Sequence, residues 1–403
     1  MLLQSQIARV IDSQQITFLR KDQGLERELL KKLTFIDNFV LIITGLRRCG
    51  KSTLLLQLLN QKFSEAIYLN FEDPRLAGFE TSDFNRLSEE ISKRQIKTIF
   101  FDEIQIIENW ELFIRQKLDE EYRIIITGSN STLLSKELGT KLTGRQISFE
   151  LFPFSYPEYI KFKGLEYSEE TISLYLKDGG IPEYVKTGIG SILNNLLEDI
   201  LTRDIAVRYG IRDISSLKQI AVYLISNIGK PISAKSLLGM FDIKANSTVL
   251  EYFSYLENAY LLQFLPMFSY SLKTQIRNPR KVYAIDMGMF TENSIVFTEE
   301  SGRRLENLVF LFLRQNYKQL YYFKDKCECD FVAMHQGQVK ELVQVCYNIN
   351  DTNFDREYNG LSYAMDFFNQ TEGIIVSFNQ RDLFEKNGKR VRIIPAHEYI
   401  SQK

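Results

Sequence analysis

Short runs of apolar, mostly β-branched residues alternate with helix-patterned segments from about residue 39 to residue 160. The runs are FVLIITG (39–45), AIYLNFE (66–72), TIFFDEI (98–104), RIIITGS (123–129) and QISFELF (146–152). Because the apolar residues are nearly continuous within each run, both faces of these strands should be buried. The pattern therefore predicts a parallel sheet wrapped by helices, in an α/β fold.

Helical spacing continues from about residue 160 to 265, and strand patterns return from about residue 281. We predict four segments, with boundaries near residues 160, 225 and 280. They are the parallel-sheet domain with an amphipathic lead-in helix (1–160), a helical segment (161–225), a helix-turn-helix segment (226–280) and a second α/β domain (281–403). The chain has neither repeats nor low-complexity tracts, so short connections should join these segments.

Composition excludes several classes of protein. The 403 residues carry a net charge of −1, so any binding to nucleic acid or a membrane surface must come from a local patch. Four cysteines are too few for a disulfide framework and favour a reducing cytoplasm. The N-terminus does not resemble a signal peptide, and no apolar run approaches the roughly 18 residues that span a bilayer. With two histidines, a mechanism based on a histidine base is disfavoured.

The stretch GLRRCGKST, residues 45–53, matches the Walker A pattern of a phosphate-binding loop. A strand precedes it and a helix opens at Lys51, so its backbone N–H groups should face phosphate oxygens. Lys51 should reach the β- and γ-phosphates of ATP, and Ser52 should ligate Mg²⁺. The alternative is a glycine-rich turn with a solvated lysine. The predicted nucleotide-binding residues are Gly45, Leu46, Arg47, Arg48, Cys49, Gly50, Lys51, Ser52 and Thr53.

The stretch TIFFDEIQ is typical of Walker B, because an apolar strand ends in two acidic residues. Asp102 should help to hold Mg²⁺, and Glu103 should polarise the attacking water as the catalytic base. An acidic turn after a buried strand is the plain alternative.

A third strand ends in TGSNST, where Ser129 or Asn130 could contact the γ-phosphate and act as a sensor of hydrolysis. The alternative is capping of the helix that begins near Ser131. The sequence does not distinguish the two side chains.

Arg145 lies just before the last strand of the predicted sheet. From there it could reach the γ-phosphate of a neighbouring subunit and stabilise charge on the transferring phosphoryl group. A lone arginine is more often a surface charge.

Eight motifs occur in the order found in a family of prokaryotic AAA-type ATPases, which the chain therefore resembles from about residue 20 to 385. They are GLRRCGKSTLL, LNFEDPR, FFDEIQ, TGSNSTLLS, LTGR, LFPFSYPEY, GGIPEYV and ENLVFLFL…CECDFV. In that family the C-terminal half is known as domain of unknown function 4143. The resemblance implies an ATPase module, a helical segment, a winged-helix-like segment and a restriction-endonuclease-like α/β domain. It also favours Arg145 as a finger in trans, because the Gly-Arg pair of the family falls at this position.

Residues 231–265 show helix-turn-helix organisation, with Ser247 as the expected N-cap of the second helix. That helix carries glutamates and no Lys or Arg, which is unfavourable for binding in a phosphate-lined groove. A basic patch that could contact nucleic acid follows it: Lys273, Arg277, Arg280 and Lys281. A protein-interaction or architectural role is the alternative to DNA binding.

Residues 327–348 predict a hairpin that turns around Gly337, with Asp330 opposite Gln344 and Glu328 opposite Cys346. A restriction-endonuclease-like sheet would have Glu-x-Lys where this chain has Gln344 and Cys346. One anionic ligand and the cation are thereby lost, although Lys326 or Glu306 could partly compensate. We therefore predict a degenerate nuclease-like site, formed by Glu306, Asp330, Gln344 and Cys346, that has kept its fold without cutting nucleic acid.

These features predict a Mg²⁺-dependent AAA-type ATPase that acts as a nucleotide-driven switch or remodeller, in a homo-oligomer if Arg145 acts in trans. One alternative is an ATP-regulated protein that binds or processes DNA, in defence or mobile-element maintenance. Another is a scaffold that binds ATP and scarcely turns it over. The sequence does not name the protein partner.

Overall fold

A computed structural model describes residues 1–134, 136–295 and 300–401, and within the first two ranges the side chains of 133, 134 and 136–138 are not described. The chain forms two compact units. The first comprises Met1–Pro153 with Asn258–Tyr260, and the second comprises Phe154–Glu257 with Leu261–Lys403. The α/β class predicted from the sequence is confirmed.

The first unit contains all five predicted strands. They are β1 (Val40–Thr44), β2 (Ile67–Asn70), β3 (Thr98–Asp102), β4 (Arg123–Gly128) and β5 (Gln146–Glu150). Its helices are α1 (Gln4–Leu19), α2 (Leu29–Lys32), α3 (Lys51–Lys62), α4 (Asp83–Arg94), α5 (Trp110–Asp119) and α6 (Lys136–Lys141). Short 3₁₀ turns lie at Pro74–Leu76, Ile104–Ile106 and Ser131–Leu134.

The five strands form one parallel sheet in the order β2-β3-β4-β1-β5. Every residue of β1 and β3 is buried, which explains why their sequences are continuously apolar instead of alternating. Strand β4 lies between β1 and β3, so the loops that follow these three strands meet at the same edge of the sheet. That edge carries the candidate site.

Helix α1 packs against this sheet and contributes to its core. Ile7, Val10 and Ile11 belong to the same apolar cluster as Ile42 and Phe101. Farther along the helix, the ring of Phe18 stacks on Tyr68 with 4.0 Å between ring centroids.

The second unit begins with a helical segment, and helices also occur between and after its strands. The helices of the rest of the chain are α7 (Tyr156–Lys163), α8 (Glu169–Asp178), α9 (Pro182–Thr187), α10 (Ser191–Asp199), α11 (Ile214–Ile225), α12 (Asn246–Asn258), α13 (Leu272–Arg277), α14 (Met287–Asn293), α15 (Ser301–Asn316), α16 (Phe354–Phe367) and α17 (Ala396–Tyr399). A π-helical stretch covers Ile200–Val207 and a 3₁₀ turn covers Ala234–Leu237. Helix α7 opens with a capping box, in which Ser155 and Glu158 each accept a hydrogen bond from the other's backbone N–H.

A small antiparallel sheet accompanies the predicted helix-turn-helix. Its strands are β6 (Pro231–Ile232), β7 (Leu262–Leu265) and β8 (Arg280–Ala284), in the order β6-β8-β7. The first predicted helix is only a 3₁₀ turn, because Leu238 is extended and Gly239, Phe241 and Asp242 have positive φ. Helix α12 begins at Asn246, so Ser247 lies within its first turn and is not the N-cap.

The C-terminal sheet is mixed and has six strands. They are β9 (Gln319–Lys324), β10 (Glu328–His335), β11 (Gln338–Val345), β12 (Glu372–Ser377), β13 (Asp382–Lys386) and β14 (Lys389–Pro395), in the order β13-β14-β12-β11-β10-β9. The predicted hairpin is β10–β11, paired through Phe331 with Val343 and Val332 with Leu342. The register shifts between Ala333 and Met334, close to the turn at Gly337.

No helix in the described ranges is both long enough and apolar enough to cross a membrane.

Candidate functional site

Two glycines shape the loop between β1 and α3, residues 45–53. Gly45 has φ 151°, and a Cβ atom there would lie 2.2 Å from the carbonyl oxygen of Leu151. Gly50 is the left-handed N-cap of α3 with φ 101°. Both positions therefore need glycine, and the loop leads directly into a helix N-terminus, as anion binding by backbone N–H groups requires.

Lys51 is the first residue of α3 and is buried. Its ammonium group donates hydrogen bonds of 3.0 Å to the carbonyl oxygens of Gly45 and Leu46 and lies 3.8 Å from Oε1 of Glu103. The side chain thus folds back over the loop. From that position it is available to an anion held by the same loop.

Ser52 and Asp102 meet at the carboxyl edge of the sheet. Ser52 Oγ donates a 2.6 Å hydrogen bond to Oδ2 of Asp102. The same oxygen accepts a 2.9 Å hydrogen bond from Tyr68, and Oδ1 accepts one from Thr127 on β4. A hydroxyl and a buried carboxylate, fixed by two further donors, are a hard oxygen-ligand set suited to Mg²⁺.

Glu103 follows Asp102 with a left-handed backbone, φ 55°, which is uncommon outside glycine and tends to persist at functional sites. Its Oε2 accepts hydrogen bonds from the backbone N–H and the hydroxyl of Ser129, each 3.2 Å, and from Gln105. Burial raises the pKa of Glu103, while Lys51 opposes the rise and Asp102 adds to it. The group has the environment of a general base.

Ser129 and Asn130 have different surroundings. Ser129 donates hydrogen bonds to Glu103 from both its backbone N–H and its hydroxyl. The Oδ1 of Asn130 accepts a 2.7 Å hydrogen bond from the N–H of Thr132, a local cap. Its Nδ2 is buried, and within the described part of the chain no acceptor bonds it. A buried amide without an acceptor is unfavourable unless a ligand completes it.

The other residues of the loop line or support it. Leu46 and Cys49 are buried, and burial raises the pKa of the Cys49 thiol. Arg47 pairs with Glu72 at 2.6 Å, Arg48 is exposed with φ 62°, and Thr53 is half-buried in the first turn of α3.

Sequence reasoning missed three side chains that hold this site. Tyr68 and Thr127 orient Asp102, and buried Arg27 donates hydrogen bonds to the carbonyl oxygens of Cys49, at 2.8 Å, and Phe152, at 2.7 Å. For Tyr68 and Thr127, the sequence signal that could have revealed them is a hydroxyl group within an otherwise apolar strand. Arg27 lies in the stretch GLERELLKKL, whose pattern predicts an amphipathic lead-in helix, and nothing in that pattern marks it as a partner of the phosphate loop.

Arg145 lies at the opposite edge of the sheet from Lys51. Its carbonyl accepts a hydrogen bond from Val40 N–H, at the start of β1, whereas the loop that carries Lys51 follows the end of β1. The ends of a five-residue strand are about 13 Å apart. Arg145 Nη1 lies 2.7 Å from Asp119 and Nε lies 3.2 Å from Thr143. It is therefore not part of the site in its own chain.

The second unit holds a separate cluster around Lys281. Its ammonium group lies 2.8 Å from Asp330, 2.9 Å from Glu328 and 3.1 Å from Glu306, and only 3% of its side chain is exposed. Tyr283 OH donates a 2.7 Å hydrogen bond to Glu306. A lysine from β8 therefore supplies the cation that the hairpin lacks, and exposed Lys326, considered above, does not.

Burial lowers the pKa of Lys281, but Asp330, Glu306 and Glu328 outweigh it, so the pKa is raised and the group stays charged. Burial and Asp330 raise the pKa of Glu306 to about 7 against the opposing effect of Lys281. Burial favours the neutral form of Glu328, yet Lys281 and Lys324 together lower its pKa. One ammonium thus faces three carboxylates, and the pKa values of two of them, Glu306 and Glu328, shift in opposite directions.

Gln344 and Cys346 do not complete this cluster, contrary to the predicted four-residue site. Gln344 accepts a 3.1 Å hydrogen bond from the backbone N–H of Asp330, but its amide donates to Glu357 on α16. Cys346 belongs to an apolar cluster that also contains Cys329.

The basic patch predicted to contact nucleic acid is divided. Lys273 and Arg277 are exposed and Arg280 is half-buried. Lys281 is buried in its carboxylate cluster, so its assignment as a nucleic-acid contact is wrong.

A family model described as "AAA domain" matches residues 37–160, the part of the chain that forms the P-loop sheet. A second model, "Domain of unknown function (DUF8612)", matches residues 169–298. The assignment of the C-terminal half to domain of unknown function 4143 is wrong, because the domain of unknown function that matches is DUF8612.

An uncharacterized protein of Methanocaldococcus jannaschii is 36% identical over 382 residues, which cover 88% of this chain and 84% of that protein. The chain belongs to the same family as this archaeal protein. An uncharacterized protein of Haemophilus influenzae is 28% identical over 378 residues, covering 86% and 94%. Residues 37–160 of this family member are thus an AAA-type P-loop ATPase domain.

Two solved structures align with lower similarity. Cdc6p from Pyrobaculum aerophilum is 13% identical with a TM-score of 0.25, over 69% of this chain and 88% of that one. PCH-2 from C. elegans is 16% identical with a TM-score of 0.24, over 64% and 66%. At these scores neither alignment bears on function.

Proposed function

We propose that the AAA domain binds Mg·ATP and hydrolyses it, and that the protein works as a nucleotide-driven switch or remodeller. The observation that carries the proposal is the 2.6 Å contact between Ser52 Oγ and Asp102 Oδ2, which joins the two motifs at the edge of one sheet. These residues lie 50 positions apart in the chain, and a P-loop arrangement gives both of them a role.

The loop would hold the phosphate tail of ATP through its backbone N–H groups and the N-terminus of α3. Lys51 now donates to two carbonyl oxygens of its own loop. Its ammonium would transfer to the β- and γ-phosphate oxygens when nucleotide is bound. The glycines at 45 and 50 permit the close approach.

Ser52 and Asp102 fit Mg²⁺, since their oxygens converge and Tyr68 and Thr127 keep the carboxylate in one orientation. When bound, Mg²⁺ neutralises charge on the β- and γ-phosphates. Ser52 would release its hydrogen bond to Asp102 and present the hydroxyl oxygen as a ligand.

Glu103 would accept the proton of the water that attacks the γ-phosphorus, as the bond to the bridging oxygen breaks and ADP leaves with phosphate. Ser129 fixes one carboxylate oxygen of Glu103 through two hydrogen bonds. The buried Nδ2 of Asn130, which has no acceptor among the residues that the structure describes, would bond the γ-phosphate and act as the sensor.

The test is steady-state ATP hydrolysis and nucleotide binding by Lys51→Ala and Glu103→Gln. We expect Lys51→Ala to lose both binding and turnover. Glu103→Gln should keep ATP affinity while kcat falls by about 100-fold or more, because only the proton acceptor is removed. Lys62→Ala, in the last turn of α3, is the matched control and should behave as wild type.

Turnover at the wild-type rate in either variant would overturn the assignment of roles. Tight Mg·ATP binding without phosphate release in the wild type would support the scaffold alternative. DNA binding stays a prediction that now depends on Lys273, Arg277 and Arg280, because Lys281 is buried.

A further inference from the structure

Helix α13 is an unusually exposed element of the second unit. None of its six residues is buried. Tyr270, just before it, is 83% exposed, and Leu272 and Ile276 are 68% and 61% exposed. Exposing large apolar side chains to water is unfavourable. Several such side chains close together therefore mark an interaction surface.

The helix has a fixed conformation. Ser271 caps it by accepting a hydrogen bond from Thr274 N–H, and Gln275 donates a 2.7 Å hydrogen bond to the carbonyl of Ser269. The ring of Tyr270 stacks against Phe367. The apolar surface is therefore held in place by the fold.

The same helix presents a basic stripe beside the apolar one. Leu272 and Ile276 are four residues apart, as are Lys273 and Arg277, so each pair shares a face of the helix. Residues 258–285 contain no Asp or Glu, although a quarter of the chain is charged. We call the surface formed by Tyr270, Leu272, Lys273, Ile276 and Arg277 the basic apolar surface.

Residues 165–174 have the complementary character. Leu165, Tyr167 and Leu174 are exposed apolar residues, and Glu166, Glu169 and Glu170 are exposed. The segment contains neither Lys nor Arg. We call it the acidic apolar segment.

Another acidic apolar candidate, edge strand β13, is less suitable. Its Glu385 already pairs with Arg390 at 2.8 Å.

We propose that the basic apolar surface of one protomer binds the acidic apolar segment of a second copy of this chain. The contact joins two different surfaces, so it is heterologous and builds a ring or an open chain of subunits, depending on whether the rotation closes. The apolar residues provide the area removed from water, and the opposite charges provide register and orientation. Leu and Ile at the centre of the surface favour a protein partner over the phosphate backbone of nucleic acid.

The test is sedimentation velocity of the full-length protein over a concentration series, with and without Mg²⁺ and a slowly hydrolysed ATP analogue. We expect wild type to assemble, and Lys273→Glu with Arg277→Glu to weaken association by at least about tenfold through like-charge repulsion. Glu166→Lys with Glu170→Lys should do the same. All four substitutions in one chain should restore assembly, since the two surfaces are again complementary.

Lys235→Glu with Lys244→Glu, two exposed lysines of the same unit, is the matched control and should assemble as wild type. The proposal is overturned if wild type stays monomeric under every condition, or if Lys273→Glu with Arg277→Glu assembles normally. It is also overturned if the fourfold variant folds, by circular dichroism, without regaining assembly. Loss of affinity for a labelled DNA duplex in Lys273→Glu with Arg277→Glu, at unchanged assembly, would assign the surface to nucleic acid instead.

Discussion

Tyr68 and Ser52 donate hydrogen bonds to the same carboxylate oxygen of Asp102, at 2.9 Å and 2.6 Å. Tyr68 is buried on β2 and stacked on Phe18, with 5° between the ring planes. Burial and Asp102 raise the pKa of Tyr68, so its hydroxyl remains a donor. If Ser52 turned toward a bound Mg²⁺, as proposed above, Tyr68 and Thr127 would still hold the carboxylate. We therefore expect the tyrosine to act as a positioning residue for the proposed Mg²⁺ site.

Tyr68→Phe should raise the Mg²⁺ concentration that gives half-maximal ATP hydrolysis by about tenfold, because a partner of a metal ligand is lost while the ring stack is kept. Titrating Mg²⁺ at saturating ATP measures this shift. The control is Tyr122→Phe, at a buried tyrosine that directly precedes β4, and its Mg²⁺ titration should match that of wild type. An unchanged Mg²⁺ requirement in Tyr68→Phe would remove the positioning role.

Asn130→Asp should lower kcat by about 100-fold or more, because it replaces the buried donor Nδ2 with an acceptor that repels phosphate. The Oδ1 cap on Thr132 is retained, so the loop should stay folded. Ser129→Ala serves as the comparison, and its fall should be smaller because Glu103 keeps the backbone N–H of residue 129. A larger loss in Ser129→Ala than in Asn130→Asp would reverse the two roles. Single-turnover hydrolysis with prebound ATP separates these effects from binding.

The sequence predicts the first unit well because its signals are local. All five strands and the contact between Ser52 and Asp102 follow from apolar runs that end in polar motifs. Tyr68 was missed because a tyrosine in an apolar strand is usually a core residue. Its hydroxyl reaches Asp102 only because β2 pairs with β3, where Tyr68 lies opposite Phe100, two residues before Asp102.

The second unit was harder to predict because its cluster depends on contacts distant in the chain. Lys281 lies 49 residues from Asp330 in the chain. It is also one of four basic residues in the stretch KTQIRNPRK, which reads as a basic surface patch, and nothing in that stretch marks one of the four as buried. The strand pair β13–β14 was also missed, since β13 has exposed, charged residues typical of an edge strand. The predicted place of Cys346 in the nuclease-like site was wrong, since this residue follows the last residue of β11 and lies in an apolar cluster.

Arg145→Ala should leave ATP binding unchanged and lower turnover by about 1000-fold if the guanidinium acts on the site of a neighbouring subunit. Its position at the far edge of its own sheet makes a role in trans the only one open to it as a finger. Mixing Arg145→Ala with Lys51→Ala should restore part of the activity, because the first variant supplies intact P-loops and the second supplies Arg145. If ATP hydrolysis did not recover in the mixed oligomers, the proposed role of Arg145 as an arginine finger in trans would be contradicted.

Lys281→Met should destabilise the second unit by about 3–5 kcal/mol, because it leaves three carboxylates close together in a buried site without their cation. That loss corresponds to a fall of about 10 °C in the thermal transition of this unit. Lys324→Met is the matched control, since Lys324 also pairs with Glu328 but 55% of its side chain is exposed, and it should cost less than about 1 kcal/mol. Equal effects of the two substitutions, by differential scanning calorimetry, would show that the cluster is not what stabilises the unit.

Glu306 makes the stability of the second unit depend on pH. Its pKa is raised from 4.5 to about 7 in the folded protein, so the folded state holds this proton more tightly than the unfolded state does. The resulting stabilisation is complete below about pH 4.5 and is lost as pH rises through about 7, with a total of up to about 3 kcal/mol. Burial also raises the pKa of Asp286, from 3.8 to about 6. This second carboxyl group therefore adds a loss of stability with rising pH, over a lower pH range than that of Glu306.

Glu306→Gln should therefore flatten the decline in stability between about pH 4.5 and pH 7, because the amide keeps an acceptor for Tyr283 and Lys281 without titrating. Denaturant unfolding at a series of pH values, followed by the signal of the second unit, measures the slope. Asp286→Asn should flatten the curve mainly between about pH 4 and pH 6 and leave the decline from about pH 6 to pH 7 to Glu306. A wild-type slope in Glu306→Gln would mean that another group takes up the proton, and the raised pKa would then belong to a different carboxylate around Lys281.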